Sequence, residues 1–332
     1  MTRVSSGLDR RQFLGALSVG MTALAIPGLV LGQSAKKQLA GVFPIGFTPV
    51  KPDGKLDFDG LAAQAHFCQR GGVQGLAWPQ IASGWMTLTE PERVAGAEAL
   101  IAAGKGGSTS IVIGVQSNSG DFAESARYAN HAAKLGADAI ICIPPAGIDA
   151  GQLLGFYKRL GALTPLPMFV QTGGDFSVDL LVEMFNSIPT FRHVKDEAGQ
   201  PLERVTEITR RTNGQLHCFS GLGVFTMITE MERGFSGHCP FTSLADLYAA
   251  TYDLYHAGKH VEAFDKFGRI EAASSMFAQS NINVLVARGV LKPGTTARTA
   301  PKTPGSPAGP APASADEIKR ILDTYLKGDL RA

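Results

Sequence analysis

The chain is poor in the features that mark several protein classes. It has four cysteines, Cys68, Cys142, Cys218 and Cys239, and no two stand at CxxC or zinc-ligand spacing. Nothing in this pattern reads as a disulfide framework, and the apolar, strand-like surroundings of Cys142, Cys218 and Cys239 read as core thiols. Excess charge is also scarce. The formal net charge is +2, and Arg3, Arg10 and Arg11 against Asp9 account for all of it. The rest of the chain is near neutral, which argues against a nucleic-acid surface and against strong attraction to anionic lipid. No Gly-x-Gly-x-x-Gly turn follows the first strand-like run, and no phosphate-binding loop is present. No His/Asp/Glu cluster suggests a metal. The sequence calls for no cofactor.

Long, clean apolar runs are missing too. The best candidate follows Asp9-Arg10-Arg11-Gln12-Phe13-Leu14-Gly15 and extends to Leu31. Gly20, Thr22 and Gly28 dilute it, and Pro27 would disturb a spanning helix. A polar start, paired arginines, Phe-Leu and a mild apolar core resemble a twin-arginine export signal. Cleavage is expected after Gly32 or within the next few residues. We read residues 1–35 as this signal. It implies a folded product in the periplasm, with no stable membrane insertion after cleavage. The plainer alternative is an uncleaved anchor or an unstructured tail.

What is present is an ordinary globular balance, 44% apolar and 18% charged, over 332 residues. That is enough for one large barrel or two ordinary domains. Short apolar runs at Val42–Thr48, Gly75–Trp78, Ser110–Val115, Ala139–Ile143, Met168–Gln171, Arg192–Lys195, Leu216–Ser220 and Ser236–Cys239 read as strands. Amphipathic stretches between them include Asp59–Gln69, Glu90–Ala103, Asp121–Leu135, Val178–Ser187, Pro201–Arg211, Gly223–Arg233 and Leu244–His256. Sustained strand–helix alternation predicts a parallel sheet, and eight repeats predict a closed (β/α)8 TIM barrel over residues 41–258. An open α/β sheet is the weaker alternative.

Local signals set the phase. Thr89-Glu90-Pro91-Glu92 is a capping box with Pro in the first turn. Gly136 after Leu135 is a helix stop that leads into Ala139–Ile143. Residues 259–332 read as additional C-terminal helices. Val261–Ala287 continues as helix, the Pro- and Gly-rich stretch at 293–315 reads as a linker, and Asp316–Leu330 forms a last helix. Its apolar face carries Ile318, Ile321, Leu322, Tyr325 and Leu326, and it is expected to pack on the barrel or on a neighbouring subunit.

Several ordered segments carry a resemblance. They are Gly41–Pro49 with Asp53-Gly54-Lys55-Leu56-Asp57; Gly71-Gly72-Val73-Gln74-Gly75; and Ser83-Gly84-Trp85 through Thr89-Glu90-Pro91-Glu92-Arg93. Gly114-Val115-Gln116-Ser117-Asn118, Gly136-Ala137-Asp138-Ala139 to Pro144-Pro145, and Val194-Lys195-Asp196-Glu197-Ala198-Gly199 follow. Together they resemble the dihydrodipicolinate synthase/N-acetylneuraminate lyase family from about Gly41 to the C-terminus. The resemblance implies a (β/α)8 barrel with C-terminal helices, a homotetramer, and an imine between the strand-six lysine, Lys195, and a 2-keto acid.

Active sites in this fold lie at the C-terminal ends of the strands, where Lys195 falls. An amine attacks a ketone only when neutral, so such a lysine needs desolvation or a nearby cation. The protonated imine is then an electron sink for breaking a carbon–carbon bond or losing water. The plain alternative is a solvated lysine at a strand end. The sequence departs from the family around it. Gln171 stands where the family has a strand-five tyrosine, and an amide orients groups but does not exchange protons. The second family tyrosine falls on Pro145 or Ala146. The family's Gly-Thr-Thr-Gly-Glu loop reads Ile81-Ala82-Ser83-Gly84-Trp85, which leaves Ser83 and Gly84, with Thr48 and Trp85, as substrate-binding candidates. The synthases' arginine after strand five is absent from Asp175-Phe176-Ser177, which argues against genuine dihydrodipicolinate synthesis.

To replace the tyrosine, His238 near the end of strand eight is the proposed catalytic candidate beside Lys195 and Gln171. His193 lies deeper and reads as a core histidine. Asp196 and Glu197 read as surface or supporting carboxylates, and Trp78 and Trp85 as mouth or packing residues. The first functional reading is an imine-forming lyase, aldolase or dehydratase acting on a 2-keto acid. The second is a non-catalytic barrel that binds a small carboxylate. A third, weaker one is hydrolysis through Cys239.

Overall fold

Eight short, largely buried runs become the parallel strands of one sheet in the computed structural model. The structure describes residue 37 and residues 39–174, 176–221, 224–277, 280–299 and 311–332. The expected export signal lies outside these residues, as do residues 300–310 of the expected linker. In chain order the strands are β1 (Gly41–Val42), β2 (Thr48–Val50), β3 (Gly75–Trp78), β4 (Ser110–Gly114), β5 (Ala139–Cys142), β6 (Met168–Gln171), β7 (Phe191–Asp196), β8 (His217–Ser220), β9 (Gly237–His238) and β10 (Thr296–Arg298). Strands β1 and β3–β9 run side by side in the order β1-β9-β8-β7-β6-β5-β4-β3. The ring closes through Ile45, which bridges in parallel to Ala77 and to Phe241. The Gly46 N–H donates to Ala77 O and the Ala77 N–H donates to Pro44 O, each at 3.0 Å. This is a (β/α)8 barrel, and β7 is its sixth strand.

The helices are α1 (Phe58–Arg70), α2 (Glu90–Gly104), α3 (Phe122–Leu135), α4 (Ala150–Gly161), α5 (Val178–Ser187), α6 (Pro201–Thr212), α7 (Met227–Glu232) and α8 (Ala245–His256). They are followed by α9 (His260–Met276), α10 (Asn281–Ala287) and α11 (Ala315–Ile321). The caps read from the sequence form: Thr89 Oγ1 accepts from the Glu92 N–H, and Gly136 ends α3 at φ 84°. No described helix is long and apolar enough to cross a membrane.

Strand alternation sorts side chains into two layers. Ile45, Ala77, Val112, Ile141, Phe169, Phe219 and Cys239 fill the barrel. Their chain neighbours Trp78, Ile113, Cys142, Val170 and Cys218 pack outward under the helices. The rings of Phe43, Phe169 and Phe219 meet at centroid distances of 5.8, 5.2 and 5.1 Å. Each such buried ring stabilises the barrel by roughly 2 kcal/mol or more. Gly237 makes room for one of them: a β-carbon there would lie 2.2 Å from the Phe219 ring. The same alternation turns His193 and Lys195 inward, and Val194 and Asp196 outward.

Several expectations need correction. The first strand does not continue to Thr48: regular pairing with β9 ends at Val42, single hydrogen bonds still hold Phe43, Pro44 and Ile45 to the neighbouring strands, and the chain then turns out of the ring. Thr48 instead lies in β2, which pairs antiparallel with β10. Part of the expected linker is thus strand, anchored where Arg298 donates to Thr87 O at 2.8 Å and pairs with Glu92 at 3.0 Å. The helix α4 was not anticipated, although Asp149 and Gln152 form its capping box. The 261–287 helix breaks into α9 and α10. The last helix buries Ile318, Ile321, Leu322 and Leu326 against α9 and α10, while Tyr325 faces outward.

Candidate active site

A cavity of about 730 Å³ opens at the C-terminal ends of the barrel strands. Its floor holds Gln171 from β6 and Lys195 from β7, with Glu197 just beyond β7. Lys195 is 5% exposed, and its Nζ lies 2.9 Å from Glu197 Oε1. The other carboxylate oxygen, Oε2, accepts from Gln171 Nε2 at 2.7 Å. Gln171, Glu197 and Lys195 therefore form a continuous chain of polar contacts. Amine, carboxylate and amide meet because β6 and β7 pair with Gln171 opposite Lys195.

The turn after Lys195 is held by a second network. The Thr172 N–H donates to Lys195 O at 2.9 Å. Thr172 Oγ1 accepts from the Glu197 and Ala198 N–H groups at 2.8 and 3.1 Å, and donates to Asp196 Oδ1 at 2.7 Å. Asp196 is buried and receives Arg204 through two nitrogens, at 2.8 and 3.1 Å. A fork of this kind fixes geometry as well as charge. Asp196 thus positions the turn from outside the barrel, while Glu197 enters the cavity. Gly221 leaves the space for it: a β-carbon there would lie 2.0 Å from Glu197 Oε1 and 2.5 Å from Lys195 Cε.

The remaining walls are mixed. Ile81 and Ala82 present apolar side chains from the loop after β3, joined by Phe225, Phe241, Leu244 and Phe277. At the far side, on α8 and α9, Tyr248 Oη donates to Glu271 Oε1 at 2.8 Å. Burial pushes the Tyr248 phenol well above its usual value and raises the Glu271 carboxyl. Among the described residues lining the cavity, Lys195 is the one cation, against Glu197 and Glu271. The buried Oε1 atoms of Gln80 and Gln171 have no hydrogen-bond partner, so two amide acceptors remain for a donor brought by a ligand. Among the described residues, no group of three or more His, Cys, Asp or Glu could hold a metal ion.

The structure brings together only part of the expected site. Lys195 and Gln171 meet in the cavity. His238 does not: its neighbour Cys239 faces inward, so His238 faces outward. There it lies fully buried, with Nδ1 2.8 Å from Glu230 Oε2 and its ring beside Tyr252. It cannot exchange a proton with a group in the cavity. Thr48 and Ser83 are consumed by structure rather than by ligand. Thr48 Oγ1 donates to Ser83 O at 2.7 Å and accepts from Trp78 Nε1 at 2.8 Å. Ser83 Oγ donates to Gly46 O at 2.5 Å and accepts from the Gln80 N–H at 3.0 Å. Gly84 ends a 3-10 turn at φ 65°, against the backbone of Arg298. Trp85 is half-buried and does not line the cavity, and Trp78 is core packing.

His193 is the core histidine expected. It stacks on Phe169 at 4.4 Å, and burial first, then His217, holds its imidazole down at about 3. Cys239 lines the cavity, but burial pushes its thiol up to about 12, which removes the thiolate that hydrolysis would need. The residue that sequence reasoning undervalued is Glu197. Its signal was available, because in a Lys-x-Glu sequence on extended chain both side chains take the same face. Gln80, Tyr248 and Glu271 carried no local signal and depend on the fold.

The dihydrodipicolinate synthetase family model matches residues 38–312. The chain is 28% identical to N-acetylneuraminate lyase of Rhizobium meliloti over 291 residues, covering 82% of this chain and 88% of that one. It is 29% identical to 4-hydroxy-tetrahydrodipicolinate synthase of Haloarcula marismortui over 182 residues, 53% of this chain and 58% of the synthase. The chain thus spans somewhat more than half the length of such synthases. Among solved structures, Ruminococcus gnavus sialic acid aldolase aligns with a TM-score of 0.73 at 17% identity, covering 88% of this chain and 99% of that one. A putative dihydrodipicolinate synthetase from Pseudomonas aeruginosa also aligns at 0.73, with 18% identity and coverage of 86% and 99%. At these identities the structural likeness concerns the fold.

Proposed function

Because the chain belongs to the dihydrodipicolinate synthetase family, we propose that it is a lyase whose Lys195 forms an imine with the carbonyl carbon of a 2-keto acid. The observation that carries this reading is the position of Lys195. It is buried at the end of the sixth barrel strand, with its side chain in the cavity and in contact with the Glu197 carboxylate. The amine attacks the carbonyl, water leaves, and the resulting iminium accepts the electron pair released when a bond to the neighbouring carbon breaks.

The substrate is a monocarboxylic keto acid with an apolar or ring-bearing substituent, rather than the partners of dihydrodipicolinate synthesis. Phe225, Phe241, Leu244 and Phe277 support this choice. So does the lack, among the described lining residues, of a cation beyond Lys195 for a second carboxylate. We further propose a homotetramer, from the family resemblance, and export to the periplasm, from the paired arginines Arg10 and Arg11 and the apolar run that follows them.

The test is a screen of 4-hydroxy-2-keto acids that carry alkyl or aryl groups on C4, read by pyruvate release. Turnover by the wild-type protein and its loss in Lys195→Ala support the reading, and unchanged turnover in Lys195→Ala overturns it. A second reading, a non-catalytic barrel that holds a small carboxylate, draws on Gln171 standing where a proton donor is needed. Ligand-induced thermal stabilisation with no turnover across the panel would favour it.

A further inference from the structure

We infer that Glu197 is the catalytic acid and base of this site, taking over proton transfer that the amide of Gln171 cannot perform. The inference rests on the imine reading given above and deepens it. Among the described residues, five titratable side chains line the cavity: Lys195, Glu197, Cys239, Tyr248 and Glu271. Only Glu197 is in contact with the nucleophile, at 2.9 Å from Nζ. Tyr248 and Glu271 are bonded to each other on α8 and α9. Asp196, the other carboxylate near Lys195, faces out of the barrel in the grip of Arg204.

The surroundings hold Glu197 for this task. Gln171 Nε2 donates to Oε2, which leaves Oε1 facing the lysine. The Glu197 backbone is pinned by Thr172 Oγ1, and Gly221 leaves the gap that Oε1 occupies. Gln171 is thus a positioning residue rather than a proton donor. An ion pair at the wall of a cavity is a poor device for stability, because desolvation offsets most of its attraction. A group that must accept, hold and return one proton beside an amine needs this arrangement.

The proton balance closes without another reagent. The Lys195 ammonium gives one proton to the Glu197 carboxylate and becomes a neutral amine. Its nitrogen lone pair forms the bond to the carbonyl carbon, and a second nitrogen proton passes to the former carbonyl oxygen, giving a neutral carbinolamine. Glu197 returns its proton to that hydroxyl, the carbon–oxygen bond breaks, and water leaves. The products are an iminium bearing the last nitrogen proton and a carboxylate beside it. In cleavage, the carboxylate takes the proton of the substrate's 4-hydroxyl while the carbon–carbon electron pair moves to the iminium and forms an enamine. Glu197 then returns that proton to the enamine carbon, and water adds to the renewed iminium, releasing pyruvate and restoring the Lys195 ammonium.

The experiment compares wild type, Glu197→Gln and Glu197→Ala on a keto acid that the wild type cleaves. Each is read by turnover, by borohydride trapping on Lys195, and by formate rescue. Loss of a positioned acid/base group lowers kcat by roughly 10²- to 10⁴-fold. Glu197→Gln should show that loss, with a thermal midpoint near wild type and Lys195 still slowly trapped. Glu197→Ala, which leaves space for a small carboxylate, should recover turnover with added formate. Wild-type turnover in Glu197→Gln, or a loss in Glu197→Ala that formate does not relieve while the protein remains folded, overturns the assignment. Failure to trap Lys195 in the wild type would instead overturn the imine reading itself.

Discussion

Replacing Gly221 with alanine should disable the site while sparing the fold. Gly221 does not adopt the left-handed backbone that glycine favours, so its backbone admits a side chain. In the folded chain the change therefore acts through contact. The new β-carbon would start 2.0 Å from Glu197 Oε1 and 2.5 Å from Lys195 Cε. Reaching ordinary contact requires the carboxylate oxygen to move by about 1.5 Å. A shift of that size directed away from Lys195 opens the Oε1–Nζ contact, now 2.9 Å, beyond hydrogen-bonding reach. The displaced atoms are the ends of flexible side chains, so the structural cost is small. A Gly→Ala change at a compatible backbone also stabilises by about 0.4–1 kcal/mol through the unfolded chain. The thermal midpoint should thus stay within a few degrees of wild type, while kcat falls roughly 10²-fold or more. Calorimetry and a pyruvate-release assay on the same preparation measure both. A G221A protein with wild-type turnover would refute the reasoning, because Glu197 and Lys195 could then work apart.

His193 gives a pH dependence of stability. Its imidazole is held at about 3 in the fold, against 6.5 ordinarily, so below pH 6.5 the unfolded chain binds a proton that the folded chain refuses. The stability it contributes is complete above pH 6.5 and is lost as pH falls toward 3, by about 1.4 kcal/mol per pH unit and at most about 5 kcal/mol. His193→Phe should flatten denaturant-derived stability between about pH 4 and 6.5, and an unchanged slope counts against the account. Cys239, with its thiol near 12, has a thiolate fraction of about 10⁻⁵ at pH 7, so Cys239→Ser should keep turnover and native Cys239 should resist alkylation. For export, Arg10→Lys with Arg11→Lys should hold the protein in the cytoplasm, as cell fractionation would read; unchanged periplasmic recovery rejects the twin-arginine proposal.

The fold was legible because its signals are local and repeated. The eight strands lie within a few residues of their expected places, since each is a short β-prone run bounded by helix caps such as Thr89 and stops such as Gly136. Where the first strand ends was not legible. The apolar run continues to Val50, and only pairing with Thr296–Arg298 pulls Thr48–Val50 out of the ring. The position of Lys195 was legible from its strand, and that of Gln171 from the strand beside it. His238 was misplaced because one residue decides the face of a strand: Cys239 enters the cavity and His238 leaves it. Ser83 and Thr48 looked like free hydroxyls, yet their partners, Gly46 O, Ser83 O and the Trp78 indole, come from segments 30 or more residues away in the chain. Glu197 was visible at the right spacing. Its importance depends on the empty space at Gly221 and on Gln171 opposite, which only the folded chain assembles.

The central claim is that Lys195 is the imine-forming group. Its most direct test is borohydride reduction of the protein in the presence of pyruvate and longer 2-keto acids, followed by mass mapping of the peptides. The expected result is one reduced keto-acid adduct per chain, on the peptide that contains Lys195, and none in Lys195→Ala. An adduct on another lysine, or no adduct with any keto acid that the protein turns over, would contradict it.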